Sequence, residues 1–257
     1  MLLHIGAFKL DVDSKRFTLW HQLAPRTRVF CAFLFVFANA LTPNGQWLTW
    51  AIYGFGLVIL ILLSQVTLLV LLRRVAVEFT FIGTVLLGTL FREGGTVLWS
   101  WGWLQITTAG LNVLGSVALK SFLSLLMLNI LILTTSIPSL LHALAALRVP
   151  PLLVAILSSM YRYIAVLIDE FDSMRRAALS RNLMASKQWQ RLVVGNMIGS
   201  LFIRTYERGD RIHQAMLARG YTGLLPVTQV EQVGKIDYLS IVLTFIIILL
   251  GQFIYLR

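Results

Sequence analysis

Apolar residues fall in long, nearly unbroken runs, not in the one-sided patterns of a soluble domain. A membrane-spanning helix needs about 20 mostly apolar residues, fewer where its ends reach toward the headgroups. Five runs approach that requirement. The first, Val29 to Leu41, is short and closes on the turn cluster Thr42-Pro43-Asn44-Gly45, so it crosses only with help from Thr27, Arg28 and the Thr42 side. The second runs from Trp47 to Leu72 and stops at Arg73-Arg74. Val75 to Leu90 is the third, closed by Arg92-Glu93-Gly94-Gly95; the fourth is Val117 to Leu133 and the fifth Tyr238 to Tyr255. Between the third and fourth, Trp99, Trp101 and Trp103 alternate within Thr96 to Ser116. Indole rings with a polar N–H suit the membrane–water interface, which predicts an interfacial loop or a packed strand-like segment.

Between the fourth and fifth runs the pattern changes. From Pro151 to Asn182, apolar residues recur at 152, 153, 156, 157, 160, 164, 167, 168, 171 and 174, the stripe of one helical face. The other face carries Arg162, Asp169, Glu170, Asp172, Arg175 and Arg176, with Asp172 and Arg176 spaced for an i,i+4 pair. Pro150-Pro151 suits the helix start. A second helix is predicted from Gln190 to Arg219. It is apolar from Leu192 to Ile203 and basic beyond, where Arg204, Arg208 and Arg211 share a face. Gly195 and Gly199 at four-residue spacing predict a close helix contact. Two helices that begin apolar and finish basic describe arms leaving a membrane core for the cytoplasm.

Composition agrees with this reading. Hydrophobic residues make up 58% of the 257-residue chain and charged ones 13%, against about a quarter charged in a soluble domain that must stay wetted. The expected fold is an all-α integral membrane protein. It has a core of about four spans over residues 1–134, an inserted region over 135–235 and a last transmembrane helix over 236–257. The net charge of +11 excludes nucleic-acid binding by its distribution, because Lys and Arg lie between apolar runs and form no continuous basic face. The N-terminal arm has Lys9, Lys15, Arg16, Arg26 and Arg28, the second run ends on Arg73 and Arg74, and twelve basic residues lie between Arg148 and Lys235. The alternate connections hold only Arg92, with Lys120 near the fourth run and Arg257 at the end. The positive-inside rule then puts the N-terminus and the inserted region in the cytoplasm and the C-terminus outside. Met1 to Lys15 lacks a signal-peptide apolar core. The single Cys31 allows no intrachain disulfide.

Much familiar chemistry is missing. There is no G-x-x-x-x-G-K-S/T loop for ATP. His4, His21, His142 and His213 are isolated, without metal-ligand spacing, and read as capping or loop residues. Glu78 is the one notable acid near a membrane segment; four residues from Arg74, it reads as half of an interfacial ion pair.

The two arms finish alike. One reads Ala177-Ala178-Leu179-Ser180-Arg181-Asn182, the other Ala215-Met216-Leu217-Ala218-Arg219-Gly220. Ala178 and Ala218 leave room for a partner to approach the helix backbone, and a cation in the last turn suits the helix dipole. Gly220, and less comfortably Asn182, can take the left-handed conformation that ends a helix. Taken alone, Arg followed by Gly is ordinary capping chemistry. With Leu23 to Arg28, Ile106 to Leu111, Thr134 to Pro138, Met160 to Ile164 and above all AMLARGYTG over Ala215 to Gly223, the chain resembles the T component of energy-coupling factor (ECF) transporters, in the CbiQ family of the cobalt and nickel branch. Lys120 stands where that family would lead one to expect arginine, and Ala24 where an acid is usual.

That resemblance implies a non-catalytic membrane subunit whose coupling helices dock on two ATPase subunits, a homodimer or heterodimer, which bind the ATP and magnesium. A separate membrane component captures the substrate, cobalt before nickel, and this chain holds no cofactor of its own. Ala218, Arg219 and Gly220 match the family's docking signature fully. Ala178, Ser180, Arg181 and Asn182 form the partial match, with Ser180 for the small residue and Asn182 for glycine. A self-contained channel or secondary carrier is the alternative. It requires intramembrane polar sites at internal repeats, and the halves show no repeat. An integral membrane enzyme would need a clustered His, Cys or carboxylate constellation.

Overall fold

The computed structural model describes residues 18, 20–89, 97–101, 104–183, 187–222 and 234–256. Lys9, Lys15, Arg16, the stretch Arg92-Glu93-Gly94-Gly95, Trp103, Gly223 and Arg257 lie outside these. Among the described residues, eight helices and one hairpin follow in order: α1 (Pro25–Leu41), α2 (Trp47–Ser64), α3 (Leu68–Thr89), β1 (Val97–Trp101), β2 (Leu104–Thr107), α4 (Thr108–Thr134), α5 (Ile137–Ala146), α6 (Pro151–Ser180), α7 (Lys187–Ala218) and α8 (Lys235–Leu256). The helical membrane architecture stands. The Trp-containing segment is an antiparallel hairpin, with Trp99 opposite Ile106 and Trp101 opposite Leu104.

The chain divides into two units, 1–143 with 230–257, and 144–229. In the first, α4 packs against α1, α2 and α3, and α8 against α1 and α2. Tyr53, Leu57, Leu71, Met127, Ile130 and Leu133 are fully buried there. So are Asn39, Thr49 and Thr134, while Phe33, Phe55, Leu62, Leu69 and Phe253 are more than two-thirds exposed. Large apolar groups cover the outside as well as the inside, where a few polar groups are buried among them, an exterior that suits lipid and not water.

α2, α4, α6 and α8 are long and apolar enough to cross a membrane. α1 has 17 residues and begins at Pro25, four positions before its apolar run. Its Arg28 is 7% exposed and donates from Nε to the Leu23 carbonyl (3.0 Å), from Nη1 to the Thr134 carbonyl (2.8 Å) and from Nη2 to the carbonyls of His21 (2.7 Å) and Leu23 (2.9 Å). The last carbonyls of α4 carry the negative end of its dipole, which suits the cation. The helix that holds the first apolar run thus includes Arg28, its guanidinium satisfied by carbonyls.

The second predicted run is not one helix. It breaks at Gln65, whose φ of 50° is left-handed and whose N–H donates to Ile61 (3.0 Å); α3 then begins at Leu68. Arg73 and Arg74 therefore lie inside α3 and do not form a loop. No glycine or proline marks this break, so an apolar count runs straight through it. Glu78 consequently sits at the middle of α3 and not near its start. It makes no ion pair with Arg74; Asn129 Nδ2 on α4, itself 2% exposed, donates to Glu78 Oε2 at 2.7 Å.

Close helix approach also falls elsewhere than predicted. A Cβ at Gly195 or Gly199 would meet nothing within 4 Å, whereas one at Gly251 would stand 2.6 Å from Tyr53 Cε1 and one at Gly115 2.9 Å from Trp47 Cη2. Asp237, in the first turn of α8, accepts from the Ala24 N–H with Oδ1 (2.8 Å) and from the Gly234 N–H with Oδ2 (2.8 Å). One carboxylate thus serves the N-termini of α1 and α8 together.

Candidate docking site at two helix ends

Within the 144–229 unit, α6 and α7 pack against each other. Their contact includes a charge cluster between the faces. Glu170 Oε2 accepts from Arg208 Nη1 at 2.9 Å, and Oε1 lies 3.6 Å from Arg204 Nη1. Arg211 approaches Glu207 on its own helix at 4.0 Å. The expected Asp172–Arg176 pair is not formed; Arg176 Nη2 donates to Ser173 Oγ at 2.9 Å. The apolar stripe at the start of α6 is largely uncovered, with Leu152, Leu153, Ile156, Leu157 and Met160 exposed.

Both arms end in the same hydrogen-bonded turn. At the end of α6, the Asn182 N–H donates to the Leu179 carbonyl (3.0 Å) and the Leu183 N–H to Ala178 (3.1 Å). At the end of α7, the Gly220 N–H donates to Leu217 (2.9 Å) and the Tyr221 N–H to Met216 (3.0 Å). This pairing of a six-to-one with a five-to-two bond is the Schellman motif. It needs a left-handed residue just past the cap, and Asn182 (φ 54°) and Gly220 (φ 80°) supply it. Asn182 therefore fills the same backbone role as Gly220, although only one of them is glycine.

The consequence for chemistry is placement. Arg181 and Arg219 occupy the same cap position, both exposed, and among the described residues neither guanidinium has an intrachain partner. Ala218 is exposed as expected. Ala178 is not: at 6% exposure it is covered within the chain. Ser180 turns its Oγ back to the Ala177 carbonyl (2.9 Å). The motif alone does not make a site, since α5 ends the same way, with Arg148 (φ 62°) left-handed, its N–H on Ala145 and the Val149 N–H on Leu144. What distinguishes the α6 and α7 ends is an unpaired arginine at the cap of a long, basic-ended arm. Among the described residues, no group of three His, Cys, Asp or Glu gathers to hold a metal.

Sequence reasoning passed over Glu170 as one more acid on a solvated face. Its partners lie 34 and 38 residues away on another helix, and no local signal pairs them.

Comparison with known proteins gives a family. The CbiQ model, described as cobalt transport protein, matches residues 17–231. The chain is 31% identical over 216 residues to the energy-coupling factor transporter transmembrane protein EcfT of Lacticaseibacillus paracasei, covering 79% of this chain and 81% of that one. The EcfT protein of Listeria innocua is 32% identical over 215 residues, covering 79% and 80%. That of Ruminiclostridium cellulolyticum is 30% identical over 242 residues, covering 84% of each.

Proposed function

The chain belongs to the CbiQ family of cobalt transport proteins, and from that premise we propose that it is the membrane coupling subunit of an ATP-driven ECF-type importer. It is a multi-pass membrane protein. In this reading the basic ends of α6 and α7 face the cytoplasm, the N-terminus lies inside and the C-terminus outside, as the basic residues between Arg148 and Lys235 favour. Two ATPase subunits, which bind the ATP and magnesium, dock on Arg181 with Asn182 and on Arg219 with Gly220. Their closure moves the tips, and α6 and α7 carry that motion to a separate membrane subunit that captures the substrate. Cobalt is the substrate that the family's description favours, with nickel second.

The observation that carries this reading is the matched pair of helix ends, each holding an unpaired arginine in the same backbone frame. An exposed cation at a helix terminus, with no partner among the described residues, is available to an acidic pocket or to the carbonyls of another chain. No observation favours the self-contained channel.

The test is co-purification and uptake. Removing one partner of a charge pair buried at an interface costs about 2–5 kcal/mol. Arg219→Ala and Arg219→Glu are therefore expected to weaken ATPase association and abolish coupled cobalt uptake while membrane insertion stays normal. An intact complex with normal uptake would remove the docking role. Thiol labelling of an Arg219→Cys variant from the outer side of the membrane would overturn the topology.

A further inference from the structure

The Glu170 cluster divides the two arms equally. Arg181 lies eleven residues beyond Glu170 on α6, and Arg219 lies eleven beyond Arg208 on α7. At 1.5 Å per residue each arm, from clamp to tip, is about 16.5 Å long. Glu170 is the shielded member, its side chain 17% exposed against 36% for Arg208 and 58% for Arg204. Its two oxygens face arginines one helical turn apart. One contact is a charge-assisted hydrogen bond at 2.9 Å; the other, at 3.6 Å, is an ion contact too long to be one.

We propose that Glu170 is the positioning residue of the two arms, a latch with two seats, Arg208 and Arg204, that sets where α7 crosses α6 and hence how the tips are spaced. With Glu170 on Arg208 the arms are equal. A slide of α7 that brings Arg204 to where Arg208 sits lengthens the α7 arm by four residues, about 6 Å along its axis. A one-turn step of this kind is a known way for packed helices to hold two discrete arrangements. The neighbouring charges suit such an exchange. Arg211 is drawn to Glu207 on its own helix and Arg176 to Ser173, leaving Arg204 and Arg208 to share one carboxylate. The consequence for transport rests on the docking role proposed for Arg181 and Arg219; the latch itself does not.

The test therefore separates the two. Spin labels at Ala177→Cys and Gln214→Cys, both exposed, in a Cys31→Ala full-length chain in nanodiscs, report the distance between the arms. The parent should give one dominant distance. Arg208→Ala, which leaves only the Arg204 seat, should shift that distance by several ångströms, up to about 6 Å. Glu170→Gln should broaden the distribution, and Glu170→Arg combined with Arg208→Glu should narrow it again. Circular dichroism on each variant separates these changes from loss of the helices. Parent-like distributions in both Arg208→Ala and Glu170→Gln would overturn the latch. In the full complex, Arg204→Ala should retain ATPase association yet lower uptake per ATP hydrolysed. If Arg219→Glu leaves association unchanged while the distance results hold, the docking reading fails and the latch stands.

Discussion

Replacing Gly220 by alanine tests whether the backbone frame at the α7 tip, and not its arginine alone, matters for docking. Gly220 has φ 80°, and a Cβ there would meet nothing within 4 Å. The substitution therefore introduces no clash, and its whole cost is the left-handed backbone, about 1–2 kcal/mol for an L residue. The turn is held by two hydrogen bonds, Gly220 N to Leu217 O at 2.9 Å and Tyr221 N to Met216 O at 3.0 Å, each worth about 0.5–1.5 kcal/mol. Strain and restraint are of similar size, so the free tip of Gly220→Ala frays and docking must restore it. The affinity of the nanodisc-embedded chain for its ATPase subunits should then fall by a factor of about 5 to 30. Gly220→Asn should lose much less, because asparagine tolerates this region and Asn182 already occupies it at the other tip. Asn182→Gly should bind at least as well as the parent, and Asn182→Ala worse. Thermophoresis against the purified ATPase pair gives the affinities, and amide exchange at Tyr221 reports fraying directly. Equal losses for Gly220→Ala and Gly220→Asn, or parent-like binding by Gly220→Ala, would refute the argument.

Two further outcomes concern the membrane unit. Gly251→Ala places a methyl 2.6 Å from Tyr53 Cε1, on a ring that is fully buried and lies edge-on to Phe35 at 5.5 Å. Overpacking of this kind costs about 1–3 kcal/mol, seen as a lower melting temperature in detergent; an unchanged melt would show that α2 and α8 do not meet there. Asp237→Ala strands the buried Ala24 N–H, at about 1–3 kcal/mol for a buried donor left without an acceptor, while the Gly234 N–H, at the exposed start of α8, turns to water. Asp237→Asn keeps one acceptor oxygen and should lose less, and equal melting of the two variants would argue against the shared cap.

Several features were legible because their physical cause is local. Lipid demands apolar runs, and those runs located α4 and α8. A helix end needs a residue that accepts φ above zero, and Asn182 and Gly220 stood at the two ends where that residue was required. The stripe from Leu152 to Met174 announced α6 whatever it packs against. The break at Gln65 escaped because Ser64 to Thr67 lacks glycine and proline, and the acceptors that hold Arg28 escaped because they include a carbonyl 106 residues away. Gly195 and Gly199 had the spacing of a close contact, yet Gly251 and Gly115 make the tight approaches.

The chain's sequence alone determined that it lives in a bilayer, that it carries two basic-ended arms, and that each arm ends in arginine followed by a residue able to turn left-handed. Only the tertiary structure decided which charges meet: Glu170 with Arg208 and not Asp172 with Arg176, Glu78 with Asn129 and not Arg74, Asp237 with the N-terminus of α1. Hydropathy and helix-end preferences act over one or two turns and can be read from neighbouring residues. A carboxylate's partner is set by which helices pack together, and that depends on the shapes of surfaces far apart in the chain.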